Sequence, residues 1–172
     1  MNKELIKRIF SSLILIPIAL FFIIKGTFLF NFFILICFFI TSYEWIKMSK
    51  KKAYYLPGLF FLIFSFYTAH EIRVNEDMSL EYFLVILLIC ISTDIGGYIF
   101  GKIFKGPKLT KISPKKTYSG VIGGYLLSII FLNLFFNTSY FSSTQELTSN
   151  ILIFILLVST ISQLGDIIIS YF

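Results

Sequence analysis

The sequence predicts an all-α integral membrane protein, a polytopic bundle of about six transmembrane helices with both termini in the cytoplasm. Hydrophobic residues make up 57% and aromatic residues 19% of the 172 residues, fractions far above those of soluble domains. Several apolar runs also reach, or nearly reach, the length that crosses a hydrocarbon core about 30 Å thick. A soluble domain of this size could not bury so much apolar surface, so we exclude that class.

The apolar runs predict a single integral membrane domain over residues 1–172. Three amino-terminal spans are expected at residues 9–24, 27–46 and 54–69. Three further spans, which carry the polar motifs, are expected at residues 82–101, 118–137 and 151–170. A basic leader precedes the first span, as in a signal peptide, but no small-residue cleavage site follows it. The first span is therefore predicted to be an uncleaved membrane helix.

The basic residues predict the orientation of these spans. If the amino terminus is cytoplasmic and six spans alternate, the cytoplasmic segments hold all of the 15 basic residues except Lys25 and Arg73. Cytoplasmic loops of membrane proteins are enriched in lysine and arginine. The charge distribution therefore supports both the number of spans and cytoplasmic termini.

The most informative stretch runs from Asp94 to Gly124. It begins with a carboxylate inside an apolar run, which is costly and indicates either a wet cavity or a hydrogen bond to a neighbouring helix. It continues through six lysines with no acid among them: Lys102, Lys105, Lys108, Lys111, Lys115 and Lys116. Such a loop indicates a strongly anionic ligand, either a phosphate compound or the anionic headgroups of the membrane.

The end of this loop has the chemistry of a phosphate site. Ser113 and Thr117 offer hydroxyl donors beside the lysines, and Pro114 favours the start of a helix, whose amino terminus attracts anions. Asp166 lies near the cytoplasmic end of the sixth span and is expected to meet Asp94 and the loop on one face. Carboxylates that face a polyphosphate usually do so through Mg²⁺, which suggests metal-assisted phosphoryl or nucleotidyl transfer.

Two glycine pairs flank the lysine-rich loop. Gly97 and Gly101 lie in the fourth span and Gly120 and Gly124 in the fifth, each pair with GxxxG spacing. Small residues at this spacing let helix backbones approach closely. We therefore expect close helix packing here, and a glycine face is also a candidate surface for a homodimer.

Three motifs occur in order within this hydropathy pattern. They are Asp-Ile-Gly-Gly-Tyr-Ile-Phe-Gly-Lys at 94–102, Lys-Ile-Ser-Pro-Lys-Lys-Thr-Tyr-Ser-Gly-Val-Ile-Gly-Gly at 111–124 and Ser-Gln-Leu-Gly-Asp at 162–166. Together they resemble phosphatidate cytidylyltransferase, also called CDP-diacylglycerol synthase, although the first 80 residues match by hydropathy alone. The resemblance implies a Mg²⁺-dependent conversion of CTP and phosphatidic acid to CDP-diacylglycerol and pyrophosphate.

The resemblance also implies roles for individual residues. Asp166 would bind the metal, and Asp94 would order the cavity as a second catalytic residue. The phosphates of CTP would be held by Lys111, Ser113, Lys115, Lys116, Thr117 and Ser170. The expected partners are CTP, phosphatidic acid and membrane lipids, with no nucleic acid, in a bacterial plasma (inner) membrane with the site facing the cytoplasm.

The chain departs from the family pattern near its end. Ile169 stands where the family usually has glutamate, and the chain stops at Phe172. The family usually continues with a Lys-Arg pair, a Lys-Asp pair and a His-Gly-Gly…Asp-Arg…Asp signature. We therefore expect a truncated or split member of the family, with little or no activity as a 172-residue chain.

Two other functions fit the sequence. One is a non-enzymatic membrane protein, such as an inactive scaffold or a small permease, in which Asp94 and Asp166 serve helix packing or an ion path. The other is a CTP-using transferase acting on a polyprenol-type lipid. The motif at residues 111–124 favours CDP-diacylglycerol synthesis, and the absent carboxyl-terminal signature leaves the non-enzymatic alternative open.

The predicted orientation can be tested by cysteine labelling from outside the cell, in a background without Cys37 and Cys90. Cysteines introduced at Asn75 and Gln145 should react with an impermeant maleimide, because their loops face outward. Cysteines at Lys51 and Lys108 should react only after permeabilisation. The reverse pattern would contradict the orientation and, with it, a cytoplasmic site.

Overall fold

The computed structural model describes residues 3–50, 52, 54–74, 80–110, 113, 116–136 and 149–170, with side chains described from Ile14 onward. Six helices form almost all of the described structure: α1 (Lys3–Ile24), α2 (Thr27–Ser49), α3 (Tyr55–Val74), α4 (Leu80–Phe104), α5 (Tyr118–Phe136) and α6 (Ser149–Ile169). Within the described residues, β structure is limited to one isolated antiparallel bridge between Lys108 and Thr117. The predicted all-α fold class is confirmed.

The helices match the predicted spans one for one. Four of the described helices, α2, α4, α5 and α6, are long and apolar enough to cross a membrane. Helix α1 has a shorter apolar stretch, Ile14–Ile24, and α3 ends in a polar turn with Glu71 and Arg73. The chain is therefore a multi-pass membrane protein, while the full count of six spans and their orientation stay predictions.

The chain comprises two compact units, Met1–Phe83 and Leu84–Phe172, and the prediction of one domain remains untested. In the first unit, α1 and α2 meet at Gly26, whose φ of 133° is a conformation that favours glycine. The Nε–H of Arg73 donates to the carbonyl of Ile23 at 3.0 Å. This bond satisfies a carbonyl that the end of α1 leaves unpaired, and it joins the last turn of α3, beyond the predicted end of the span at residue 69, to the end of α1.

Trp45 connects α2 to α3 within the same unit. A tryptophan at the end of a membrane span commonly lies at the membrane interface. Its indole N–H donates to the carbonyl of Tyr55 at 3.1 Å, and its ring lies so close to Gly58 that a Cβ there would overlap it. Trp45 is therefore also a packing residue of the α2–α3 corner.

The second unit, α4 to α6, surrounds a small apolar core. The core side chains are Val85, Ile89, Leu132 and Ile155. Two polar contacts hold α6 to its neighbours: the hydroxyls of Thr93 and Ser159 lie 2.6 Å apart, and those of Tyr125 and Thr160 lie 2.8 Å apart. Interhelical hydrogen bonds of this kind stabilise membrane helices, because lipid offers polar groups no alternative partner.

Helices α4 and α5 approach each other through glycine. A Cβ at Gly96 would overlap the carbonyl of Gly123, and one at Gly120 would lie 2.7 Å from the carbonyl oxygen of Gly97. A Cβ at Gly124 would lie 3.0 Å from the carbonyl oxygen of Thr93. The predicted close packing is confirmed, and it occurs between these two helices. A homodimer stays a prediction.

Adjacent glycines of α4 provide a test of this packing. Gly96→Ala should lower the free energy of unfolding by about 1–3 kcal/mol, because its methyl group meets backbone that cannot move aside. Gly97→Ala is the matched control, since its Cβ would lie 3.8 Å from the nearest atom, the carbonyl oxygen of Gly120. It should be neutral or slightly stabilising. Equal thermal unfolding midpoints for the two variants in detergent would contradict the packing.

Candidate active site

The lysine-rich loop after α4 folds back on itself. Helix α4 ends at Phe104, and Lys105 adopts a left-handed conformation with φ of 42° that turns the chain. The N–H of Leu109 donates to the carbonyl of Lys116 at 2.8 Å, and the N–H of Tyr118 donates to that of Pro107 at 3.1 Å. These bonds close a hairpin-like loop, which holds Lys116 at the start of α5.

Thr117 caps the amino terminus of α5. Its Oγ1 accepts a hydrogen bond from the backbone N–H of Gly120 at 3.2 Å, the usual N-cap arrangement. It also lies 3.0 Å from the hydroxyl oxygen of Ser119, and the N–H of Gly106 donates to that hydroxyl at 3.4 Å. The polar start of α5 is therefore fixed against the loop, and its partial positive charge favours an anion there.

Lys116 connects the loop to α6. Its Nζ donates to the Oδ2 of Asp166 at 2.8 Å and to the backbone carbonyl of Gln163 at 3.2 Å. The Lys116 side chain is 25% exposed and the Asp166 side chain 54% exposed. The contact therefore joins a shielded cation to a carboxylate that remains accessible to a ligand.

A cavity of about 220 Å³ opens beside this ion pair. Helix α4, the end of the loop, α5 and α6 all contribute to its wall. The lining residues are Thr93, Asp94, Gly97, Tyr98, Lys116, Thr117, Gly120, Val121, Gln163 and Asp166. The fold thus brings together four predicted site residues from distant parts of the sequence: Asp94, Lys116, Thr117 and Asp166.

Two of the other predicted site residues, Ser113 and Ser170, lie outside the cavity lining. Ser113 is buried in the loop, where its N–H donates to the Oγ1 of Thr110 at 3.1 Å and its carbonyl accepts from the N–H of Lys116 at 3.0 Å. The hydroxyl of Ser170 donates to the carbonyl of Ile167 at 2.8 Å. Neither serine is among the described residues that line the cavity. Lys111 and Lys115 lie outside the described residues, so their phosphate contacts stay predictions.

Gln163 is a cavity residue to which sequence reasoning gave no role. Its Nε2 is enclosed and has no hydrogen-bond partner among the residues that the structure describes. Such an atom is unusual, since buried polar groups are nearly always paired. Gln163 precedes Asp166 by three residues, a spacing that places two side chains on the same face of a helix. That spacing within the motif at 162–166 is the signal that could have identified it.

The donor set of the cavity is compatible with a magnesium ion. Asp94 and Asp166 both line it, and Mg²⁺ is usually held by one or two carboxylates together with waters and substrate phosphates. In the described parts of the chain, no group of three or more acidic, histidine or cysteine side chains could hold a metal by itself. A magnesium ion in this cavity would therefore need oxygen ligands beyond these two carboxylates.

This fold and cavity define a class: a multi-pass α-helical membrane protein whose polar site combines two carboxylates, a lysine and a helix amino terminus. A model of the cytidylyltransferase family matches residues 6–71 and 54–172. The chain belongs to the cytidylyltransferase family, which confirms the resemblance inferred from its motifs.

Curated relatives cover most of the chain. The phosphatidate cytidylyltransferase of Rickettsia conorii is 31% identical over 174 residues, which cover 96% of this chain and 74% of the relative. The phosphatidate cytidylyltransferase of Rickettsia bellii is 32% identical over 177 residues, which cover 99% of this chain and 76% of the relative. Phosphatidate cytidylyltransferase 1 of Homo sapiens is 34% identical over 87 residues, which cover 47% of this chain and 19% of the human protein. No solved structure gives a significant match.

Proposed function

We propose that this protein is the enzyme that transfers the cytidylyl group of CTP to phosphatidic acid, forming CDP-diacylglycerol and pyrophosphate. The observation that carries the proposal is the cavity in which Asp94, Lys116, Thr117 and Asp166 meet. Its charges suit a triphosphate, and it is built on helices apolar enough to lie in a membrane. The assignment of the lipid substrate rests on the Rickettsia relatives, which are phosphatidate cytidylyltransferases.

The reaction needs positioning and charge neutralisation more than a covalent intermediate. A phosphate oxygen of phosphatidic acid attacks the α-phosphorus of CTP, and the bond from that phosphorus to the bridging oxygen of the β-phosphate breaks. The electron pair leaves with pyrophosphate. Holding the two reactants in line removes much of the entropic cost of bringing them together, and fixed positive groups stabilise the charge that develops on the phosphates.

Different residues of the cavity would bind the phosphates and the metal. Lys116 would bind a phosphoryl oxygen through a charge-assisted hydrogen bond, and the amino terminus of α5 beyond Thr117 would attract a second one. Asp166 and Asp94 would hold Mg²⁺, which when bound neutralises phosphate charge. We include Lys111 and Lys115 of the same loop as further phosphate contacts, because both lie in the basic motif at 111–124.

The surroundings of the cavity suit a lipid substrate. Exposed apolar side chains cover the outward faces of the second unit, among them Ile122 on α5 and Leu164 on α6, which are 60% and 52% exposed. A diacylglycerol moiety would lie against such a surface while its phosphate enters the cavity. The charge distribution of the sequence favours a site on the cytoplasmic side of a bacterial inner membrane.

Asp166→Asn tests the proposal. The variant keeps the shape of the side chain but removes the charge that would hold the metal, so the rate of CDP-diacylglycerol formation should fall about 100-fold or more. The measurement is transfer of radiolabel from CTP to phosphatidic acid in lipid nanodiscs, by a protein that also carries the family's carboxyl-terminal signature. Glu44→Gln, which neutralises an exposed carboxylate on α2, should keep wild-type activity.

A polyprenyl phosphate as a second acceptor lipid distinguishes phosphatidate cytidylyltransferase activity from that of a polyprenol-type transferase. Replacing phosphatidic acid by a polyprenyl phosphate should abolish transfer, because the relatives are named for phosphatidate. Transfer to the polyprenyl phosphate alone would favour the polyprenol-type enzyme. Transfer of label to neither lipid by a protein that also carries the family's carboxyl-terminal signature, or full activity of the Asp166→Asn variant, would contradict the proposed function.

A further inference from the structure

Lys116 forms an ion pair with Asp166, the carboxylate to which the proposed function assigns the metal. Its ammonium lies 2.8 Å from the Oδ2 of Asp166, and both residues line the cavity. We propose that Lys116 is an exchangeable counter-ion: it pairs with Asp166 until a divalent cation takes that carboxylate, and it then turns to a phosphoryl oxygen of the substrate. This inference rests on the proposed function and adds a coupling between metal and nucleotide binding.

The ion pair and the metal compete for one group. An oxygen that accepts a charge-assisted hydrogen bond at 2.8 Å has less electron density to offer a cation. An ammonium and a divalent cation on the same carboxylate also repel each other at contact distance. While the ion pair is formed, Lys116 therefore weakens the binding of a metal at Asp166.

The fold allows the side chain to move while its backbone stays in place. The backbone carbonyl of Lys116 accepts a hydrogen bond from the N–H of Leu109, and the backbone N–H of Lys116 donates to the carbonyl of Ser113. The side chain itself is a flexible stem that ends in a compact charge. An ammonium has three N–H donors, and among the described residues Lys116 has two acceptors, Asp166 and the carbonyl of Gln163.

A destination for the released ammonium lies next to it. Thr117, the following residue, caps α5 and lines the same cavity. A phosphate drawn to this helix amino terminus would offer Lys116 an anionic oxygen to replace Asp166. Phosphate binding would thus free the carboxylate for the metal, so each ligand should strengthen the binding of the other.

The test uses Mn²⁺ alone, followed by electron paramagnetic resonance of the free ion, and needs neither CTP nor activity. Lys116→Met removes the competing cation and keeps the length of the side chain. It should bind Mn²⁺ more tightly than the wild type, by a factor in the range of roughly 5 to 150 that is typical of coupled sites. Adding Asp166→Asn to this variant should abolish the gain.

Two further variants serve as controls. Lys108→Met removes the same charge from an exposed position of the loop and should leave the Mn²⁺ affinity unchanged. Lys116→Arg keeps the ion pair and should bind Mn²⁺ like the wild type. An unchanged or weaker Mn²⁺ affinity in Lys116→Met, or an equal gain in Lys108→Met, would overturn the inference. Either result in a protein that makes CDP-diacylglycerol would leave the proposed function intact.

Discussion

The ion pair between Lys116 and Asp166 is the contact on which the site depends. Its partners are 50 residues apart in the sequence, one at the end of the lysine-rich loop and the other near the end of α6. An exposed or half-exposed pair of this kind contributes only about 0–1 kcal/mol to stability. Its importance is therefore positional, because it places a lysine of the loop beside a carboxylate of α6 at one small cavity.

Close packing of α4 against α5 gives this cavity its shape. Gly120 packs against the backbone of Gly97 and also lines the cavity, so a residue that lets the backbones approach also leaves room for a ligand. The contacts of Thr93 with Ser159 and of Tyr125 with Thr160 then hold α6 in place. A membrane bundle has little hydrophobic drive to hold its helices together, and these small and polar contacts take over that role.

The apolar runs were sufficient to predict the helices, and the cost of a carboxylate in a membrane span was sufficient to single out Asp94. The glycine pairs also predicted the close packing, because backbone approach depends on side-chain size alone. The fold-back of the loop could not be predicted, since it depends on backbone hydrogen bonds such as that between Leu109 and Lys116. Because this fold-back was not predictable, the sequence alone could not show that Lys116, rather than a neighbouring lysine, contacts Asp166. The hydrogen bonds of Ser113 within the loop were not expected either.

The most direct test of this account is the structure of the protein with Mg²⁺ and the α,β-methylene analogue of CTP, which cannot undergo transfer. We expect the triphosphate in the cavity of the second unit, with Mg²⁺ on Asp166, Lys116 turned to a phosphoryl oxygen and a second phosphate near the amino terminus of α5. A nucleotide bound elsewhere, with Lys116 still paired to Asp166 and the cavity without phosphate, would contradict the account.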